Sequence, residues 1–130
     1  MFALVDEADS FHHRALALFR ADTGPLLVPS LVVGETAYLV GKVLGPRVEA
    51  LLLADLATSD LTVVDVPLGE WVRIGELVAR YADLPLGTVD ASVVAAAERL
   101  GVTAIATTDR RHFSVVRPAH AEAFELPLLD

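Results

Sequence analysis

Residues 88–109 read TVDASVVAAAERLGVTAIATTD, and they predict a helix followed at once by a strand. The Ala- and Val-rich segment Thr88–Leu100 favours a helix with Thr88 as its N-cap. Gly101 is expected to end this helix, because glycine readily adopts the left-handed backbone conformation found at helix C-termini. The β-branched segment Val102–Thr107 then favours a buried strand. A helix that leads directly into a strand is typical of a parallel α/β sheet.

The rest of the chain alternates between helical and extended patterns in the same way. Helices are predicted over Phe11–Arg20 (with Asp9 or Ser10 as N-cap), Ser30–Leu44, Arg47–Ala57 and Gly69–Tyr81. The remaining predictions are strands over Leu26–Val28, Leu61–Val66 and Ser114–Val116, a turn over Thr108–Phe113, and breaks at Thr23-Gly24-Pro25 and Gly45-Pro46. The expected fold is one α/β domain over residues 1–130, a parallel sheet with helices on both faces.

The charge balance limits the classes of binding partner. Ten Lys and Arg against eighteen Asp and Glu give a net charge of −8. Attraction of a whole protein to phosphates needs the opposite sign, so any nucleic-acid chemistry must use local basic residues and bound cations. Hydrophobic residues make up 54% of the chain, which favours a doubly covered sheet or an apolar surface for a protein partner.

Several classes of protein are excluded or unsupported because their residues or motifs are absent. The chain has no cysteine, which excludes disulfides, thiolate zinc sites and cysteine nucleophiles. The patterns HExxH, GxGxxG, GxSxG and the phosphate-binding loop are missing too, so zincin, nucleotide-binding and serine-hydrolase functions have no support. No apolar run approaches the roughly 18 residues of a membrane span, and residues 1–6 lack the pattern of a signal peptide. We therefore expect a cytoplasmic protein without a membrane segment.

Three carboxylates occupy positions where parallel α/β sheets place their sites. Asp109 follows a predicted strand, Asp90 lies in the first turn of a helix, and Glu35 lies near the start of an otherwise apolar helix. Each also has an ordinary explanation: a turn aspartate, a favourable helix dipole, and a solvated stripe shared with Lys42. Converging carboxylates repel one another unless a cation neutralises them, and Mg²⁺ or Mn²⁺ is the hard cation that such oxygens select. Replacing Asp90 or Asp109 with asparagine is then expected to leave the stability of the metal-free protein equal or higher.

Basic side chains lie close to Asp109 in the sequence. Arg110, Arg111 and Arg117 fall within eight positions, and they are either ordinary surface charge or phosphate contacts beside a metal site. By contrast, His12-His13 are adjacent and cannot share one face of a helix, so a surface role is expected for them.

Four segments carry a family resemblance. They are PSLVVGE at 29–35, DLPLGTVDAS at 83–92, AERLG at 97–101 and TTDRRHF at 107–113. In their order and separation they resemble the PIN-domain ribonucleases, and among these the VapC-type toxins of bacterial toxin–antitoxin pairs. Residues 6–13 resemble the first helix of that family, so the likeness covers nearly the whole chain.

The resemblance implies a PIN-like three-layer domain that cleaves RNA as the toxin of such a pair. It implies Glu35, Asp90 and Asp109 as catalytic ligands of Mg²⁺ or Mn²⁺, and Thr107 as a polar residue that supports their site. An ion held in this way lowers the pKa of a bound water for in-line attack on phosphorus, which leaves a 5′-phosphate end. Thr107, Arg110 and Arg111 are the candidate RNA contacts. The implied partners are an RNA substrate and a cognate antitoxin peptide over the apolar surface, and homodimer formation is left open.

The sequence departs from the family at its start. The family pattern begins with a central strand that ends in an aspartate, ahead of the position that Asp6 matches. Met1 stands only five residues before Asp6, so that strand and that aspartate are missing, and Asp6 and Asp9 fall around the first helix instead. We expect the natural protein to be longer. The alternative is a catalytically inactive PIN-like binding subunit.

A second class of enzyme shares some of these features. A receiver-like phosphoacceptor domain also uses a parallel sheet, Mg²⁺ and clustered acids, and Asp65 near the end of a predicted strand is in a position to mimic the acceptor. That fold needs a lysine after its last core strand. The only lysine in this chain is Lys42, which lies far from that place, so the ribonuclease interpretation is favoured.

Overall fold

A computed structural model describes residues 1–22 and 24–130. These residues form two compact units, Met1–Val64 and Asp65–Asp130. Thr23, which the sequence places in the break after the first predicted helix, lies outside the described residues. Within the described part, none of the helices combines the length and the apolar composition that a membrane span requires.

The first unit contains a parallel pair of strands and four helices. In chain order these are α1 (Phe2–Val5), α2 (His12–Ala21), β1 (Leu26–Pro29), α3 (Ser30–Leu44), α4 (Pro46–Leu56) and β2 (Leu61–Val64). Strands β1 and β2 pair in parallel with Leu26 opposite Leu61, and α3 packs against both strands and against α4. The predicted α/β class with a parallel sheet and flanking helices is therefore confirmed.

The boundaries of α3 and α4 follow from proline and glycine. Pro29 is extended at the N-cap of α3, so the helix begins at Ser30, as predicted. Gly45 has a φ of +92°, a conformation that side chains disfavour, and it separates α3 from α4. Pro46 follows as the first residue of α4, where its missing N–H costs nothing.

His12 is buried, contrary to the expected surface role. Its side chain lies at the start of α2, and its ring Nδ1 donates a hydrogen bond to the carbonyl oxygen of Ala3 at 2.8 Å. The bond joins α1 to α2 and satisfies the polar atom that burial would otherwise leave unpaired. A polar residue type therefore contributes to the packing of this unit.

The second unit contains α5 (Glu70–Arg80), α6 (Thr88–Leu100) and α7 (Arg110–Phe113), and α5 packs against α6. Helix α6 spans the predicted residues, with Gly87 rather than Thr88 as its N-cap and with Gly101 left-handed at φ +67°. The core of the unit combines residues from the helices and the C-terminal segment, among them Ile74, Leu77, Leu86, Val94, Phe113, Val116 and Phe124.

The predicted strand Val102–Thr107 is wrong in extent. A single parallel bridge forms there, between Ala104 and Glu125, and the N–H of Thr107 turns back to the carbonyl oxygen of Ile105 at 3.0 Å. β-branched residues favour an extended backbone, but a strand also needs a partner along its length. In the part of the chain that the structure describes, this segment is paired at one position.

The two predictions that follow, a turn over Thr108–Phe113 and a strand over Ser114–Val116, also differ from the structure. Residues Arg110–Phe113 form the one-turn helix α7. The N–H groups of Ser114 and Val116 both donate to carbonyl oxygens of this helix, at 3.1 Å each. Because local turns use these donors, they are not available to a sheet.

Candidate metal centre

Asp109 is fixed in place as the N-cap of α7. Its Oδ1 accepts the backbone N–H of His112 at 3.0 Å, which satisfies one of the free donors at the start of the helix. Its own backbone N–H donates to Oγ1 of Thr107 at 3.0 Å. Thr107, the predicted supporting residue, therefore contacts the main chain of the aspartate.

Asp90 lies in the first turn of α6, close to the N-cap Gly87. A carboxylate is favourable at this end of a helix because it faces the positive end of the helix dipole. The next two residues, Ala91 and Ser92, are buried, whereas the side chain of Asp90 keeps 30% of its surface exposed. The helix thus presents this carboxylate at the edge of the core rather than inside it.

His112 lies between the two aspartates. Its ring Nδ1 is 2.5 Å from Oδ2 of Asp109 and 3.3 Å from Oδ2 of Asp90. The other ring nitrogen, Nε2, is 3.0 Å from the carbonyl oxygen of Leu84. A carbonyl oxygen can only accept, so Nε2 carries a hydrogen and donates it. This bond directs Nδ1 at both carboxylates.

Together, Asp90, Asp109 and His112 form a candidate set of ligands for a cation. One ligand atom from each lies within 4.8 Å of the others. The side chains are 30%, 36% and 18% exposed, so an ion can reach them from solvent. Carboxylate oxygens suit Mg²⁺ and Mn²⁺, and an imidazole nitrogen adds a donor that transition metals accept. The residues present therefore fit a divalent cation.

The other predicted site residues have different surroundings. Glu35 lies on α3 in the first unit with its side chain exposed, and its role as a ligand stays a prediction. Nη2 of Arg110 donates to the carbonyl oxygen of Leu129 at 2.6 Å, so this guanidinium binds the C-terminal segment. Arg111 is exposed on α7 beside it.

Sequence reasoning missed His112 and the Leu84 carbonyl. A signal for His112 was present, because a residue three positions after an N-cap aspartate returns to it within one helical turn. The pairing of His112 with Asp109 was not predicted, because the sequence indicated a turn here rather than a helix. For Leu84 there was no signal, since every residue carries the same carbonyl group.

Comparisons with known proteins give information on the family and the fold. Residues 1–117 match the sequence profile of the PIN domain. The chain is 31% identical over 118 residues to Ribonuclease VapC26 of Mycobacterium tuberculosis, which covers 91% of this chain and 87% of that protein. The fold is similar to the crystal structure of VapC20 from the same organism, a sarcin-ricin loop cleaving toxin, with a TM-score of 0.76, 23% identity and 83% of each chain covered. At that identity the structural likeness is evidence for the fold alone.

Proposed function

This chain belongs to the PIN-domain family, in its VapC-type group, and we propose that it is a metal-dependent endoribonuclease that acts as the toxin of a toxin–antitoxin pair. The observation that carries the proposal is the convergence of Asp90 and Asp109, with His112 between them, on one point of the surface. The matched residues 1–117 extend past the boundary between the two units, which supports the proposal of one PIN-like domain over residues 1–130.

The proposed roles follow from the contacts of each residue. A bound Mg²⁺ or Mn²⁺ supplies positive charge for the phosphodiester and lowers the pKa of water. Asp90 and Asp109 hold the ion, and the bond from the Asp109 N–H to Thr107 keeps the second carboxylate oriented. We assign Glu35 as a further carboxylate ligand on the strength of the family resemblance in residues 29–35.

The proposed RNA contacts are Arg110, Arg111 and Thr107, and the two arginines are not equivalent. Both arginines are exposed on the same turn of helix, but the guanidinium of Arg110 already binds the Leu129 carbonyl oxygen. We therefore assign the phosphate contact chiefly to Arg111. Because the whole chain carries a net charge of −8, such local positive charge is needed to bring a polyanion to the site.

The proposed protein partner is a cognate antitoxin. Each unit exposes large apolar side chains that a partner peptide can cover, among them Tyr38, Val43, Leu51, Leu68 and Val72. An arginine on that peptide would pair with the carboxylates of the metal centre and so compete with the ion. Formation of a homodimer stays open, and an RNA substrate would place the activity in the cytoplasm.

A cleavage assay tests the enzymatic part of the proposal. Purified full-length protein is incubated with RNA in Mg²⁺ or Mn²⁺, with and without EDTA, beside Asp90→Asn. We expect cleavage to need the metal and to fall by at least about a hundredfold in the variant, because a neutral amide binds the ion far more weakly than a carboxylate. Cleavage that continues unchanged in EDTA contradicts the metal assignment. Stable RNA binding with no cleavage under any metal indicates the inactive binding subunit instead.

An expression experiment tests the toxin role separately. Induced expression in bacteria is expected to stop growth, and Asp90→Asn is expected to relieve the arrest at equal protein level. Co-expression with a small gene adjacent to this one is expected to restore growth. Free growth at high levels of active nuclease contradicts the toxin role and leaves the ribonuclease assignment standing.

A further inference from the structure

In the second unit, a ring nitrogen of His112 faces the carboxylates of the proposed metal centre. Nδ1 of His112 lies 3.3 Å or less from one oxygen of Asp90 and one of Asp109, while its Nε2 is bound to Leu84 on the far side of the ring. The imidazole is thus held at both ends, with the nitrogen that can carry a free lone pair directed into the donor set.

We propose that His112 is itself a ligand of the metal through Nδ1, and that this nitrogen makes the centre selective for Mn²⁺ over Mg²⁺. The inference rests on the proposed metal-dependent function and deepens it by naming the ion. Nδ1 lies within hydrogen-bonding distance of Asp109 Oδ2, so it already faces the carboxylates that would share the ion.

The contact with Leu84 is the observation that points to a ligand. Histidines that bind metals generally donate their other ring N–H to a carbonyl or carboxylate, which fixes the tautomer and the ring orientation. Here Nε2 donates to the Leu84 carbonyl oxygen at 3.0 Å, which leaves Nδ1 as the coordinating nitrogen. This acceptor is a main-chain carbonyl oxygen and not one of the acidic side chains. It is therefore an observation independent of the carboxylates that first indicated a metal site.

The loop that carries this acceptor is held in place before any ion binds. The backbone N–H groups of Leu84 and Leu86 both donate to the carbonyl oxygen of Tyr81, at 3.1 and 3.3 Å. The side chain of Leu86 is fully packed in the core, with 2% of its surface exposed. Because the loop is anchored in these two ways, the His112 ring is preorganised rather than gathered by the metal.

Selectivity follows from the chemistry of the donors. Mg²⁺ prefers oxygen ligands and keeps several of its waters, so an imidazole adds little to its binding. Mn²⁺ accepts nitrogen more readily, and transition metals in general gain from an imidazole in the set. A ligand set that adds one imidazole to the carboxylates therefore distinguishes Mn²⁺ from Mg²⁺ more strongly than a set of carboxylates alone.

The test measures metal binding rather than cleavage. Titration calorimetry of the full-length protein with Mn²⁺ alone and with Mg²⁺ alone gives the ratio of the two affinities. His112→Asn is the main variant, because its amide can keep a hydrogen bond to the carboxylates near the place of Nδ1 but offers an oxygen to the metal. We expect it to lose about tenfold or more in Mn²⁺ affinity and at most about threefold in Mg²⁺ affinity.

Two further measurements distinguish the loss of a metal ligand from an effect of the substitution on folding. His120→Asn is the matched control, since His120 is an exposed histidine of the same unit whose Nε2 donates to the Val102 carbonyl oxygen. It should leave both affinities unchanged. In the unsubstituted protein loaded with Mn²⁺, pulsed electron paramagnetic resonance should detect a directly bound nitrogen, and labelling histidine with ¹⁵N should change that signal.

The outcomes separate this inference from the proposed function. An unchanged Mn²⁺-to-Mg²⁺ ratio in His112→Asn, or Mn²⁺ bound without a nitrogen signal, overturns the ligand role of His112 and leaves a carboxylate-held nuclease intact. A protein that binds neither ion overturns both. Nitrogen-coordinated Mn²⁺ in a protein that never cleaves RNA supports the inference and contradicts the proposed function.

Discussion

Arg73 on α5 holds Glu98 on α6 through two parallel hydrogen bonds, from Nε to Oε2 at 2.8 Å and from Nη2 to Oε1 at 2.9 Å. The same carboxylate accepts the backbone N–H of Ala119 at 2.8 Å. This pair joins two helices and the C-terminal segment of the unit that contains the proposed metal centre. The hydrogen bonds from Arg73, and then that from Ala119, hold the pKa of Glu98 below its ordinary value.

The first prediction concerns the pH dependence of stability. A carboxyl whose pKa is lower in the folded protein stabilises it above the unfolded pKa, and this contribution is lost as the pH falls through the folded pKa. We therefore expect the melting temperature to fall less steeply in Glu98→Gln than in the unsubstituted protein as the pH is lowered below about 4.5. Thermal melts across this acid range and at pH 7 measure the difference.

The matched control for this experiment is Glu76→Gln. Glu76 bonds the same arginine at 3.2 Å, but its side chain is 61% exposed, so its removal should change stability little at any pH. At pH 7 we expect Glu98→Gln to cost about 1 kcal/mol. Melting curves of Glu98→Gln that run parallel to those of the unsubstituted protein through the acid range contradict the assignment.

The second prediction concerns Asp109 in the metal-free protein. Repulsion between carboxylates alone would make its removal neutral or stabilising, but both oxygens of Asp109 bond to His112, one to its backbone and one to its ring. We expect Asp109→Ala to lose about 1 kcal/mol of stability because the cap of α7 is lost. Asp109→Asn should lose less, since an amide oxygen also caps. Denaturant unfolding in EDTA measures both, and an increase in stability on Asp109→Ala would contradict the capping role.

The third prediction separates two neighbouring arginines. Arg110→Gln should loosen the C-terminal segment, because the bond to the Leu129 carbonyl oxygen is lost. Arg111→Gln should keep stability but weaken RNA binding by about 3- to 10-fold and reduce the dependence of binding on salt. Hydrogen exchange of residues 126–130 and RNA titrations at several salt concentrations measure the two effects. Equal effects of the two variants in both assays would contradict the division of roles.

The fourth prediction concerns Glu35. If this carboxylate is a ligand, Glu35→Gln should weaken Mn²⁺ binding by about tenfold while the melting temperature of the metal-free protein stays the same, since the side chain is exposed. Calorimetric titration with Mn²⁺ measures the affinity. Glu7→Gln, another exposed glutamate of the first unit, is the control. A variant that binds Mn²⁺ as tightly as the unsubstituted protein removes Glu35 from the ligand set.

The sequence was most informative where backbone chemistry is local. Helix α3 begins after Pro29, and α6 ends at the left-handed Gly101, because proline and glycine act on their own neighbours. Segment 102–107 was mispredicted because strand formation depends on a distant partner, here Glu125. At the site, Asp90 and Asp109 could be chosen from their positions at element ends, but the contact through His112 depends on tertiary packing that no local pattern encodes.

The bond from His112 to Leu84 has a consequence for how this site tolerates change. The acceptor is a main-chain carbonyl oxygen, so any residue at position 84 that preserves the backbone supplies it. An alanine scan would remove the carboxylates, the threonine and the imidazole one by one, yet it would leave this acceptor in place. The Leu84 carbonyl, which orients the imidazole, is therefore insensitive to side-chain mutation. It is sensitive to changes that shift the loop itself.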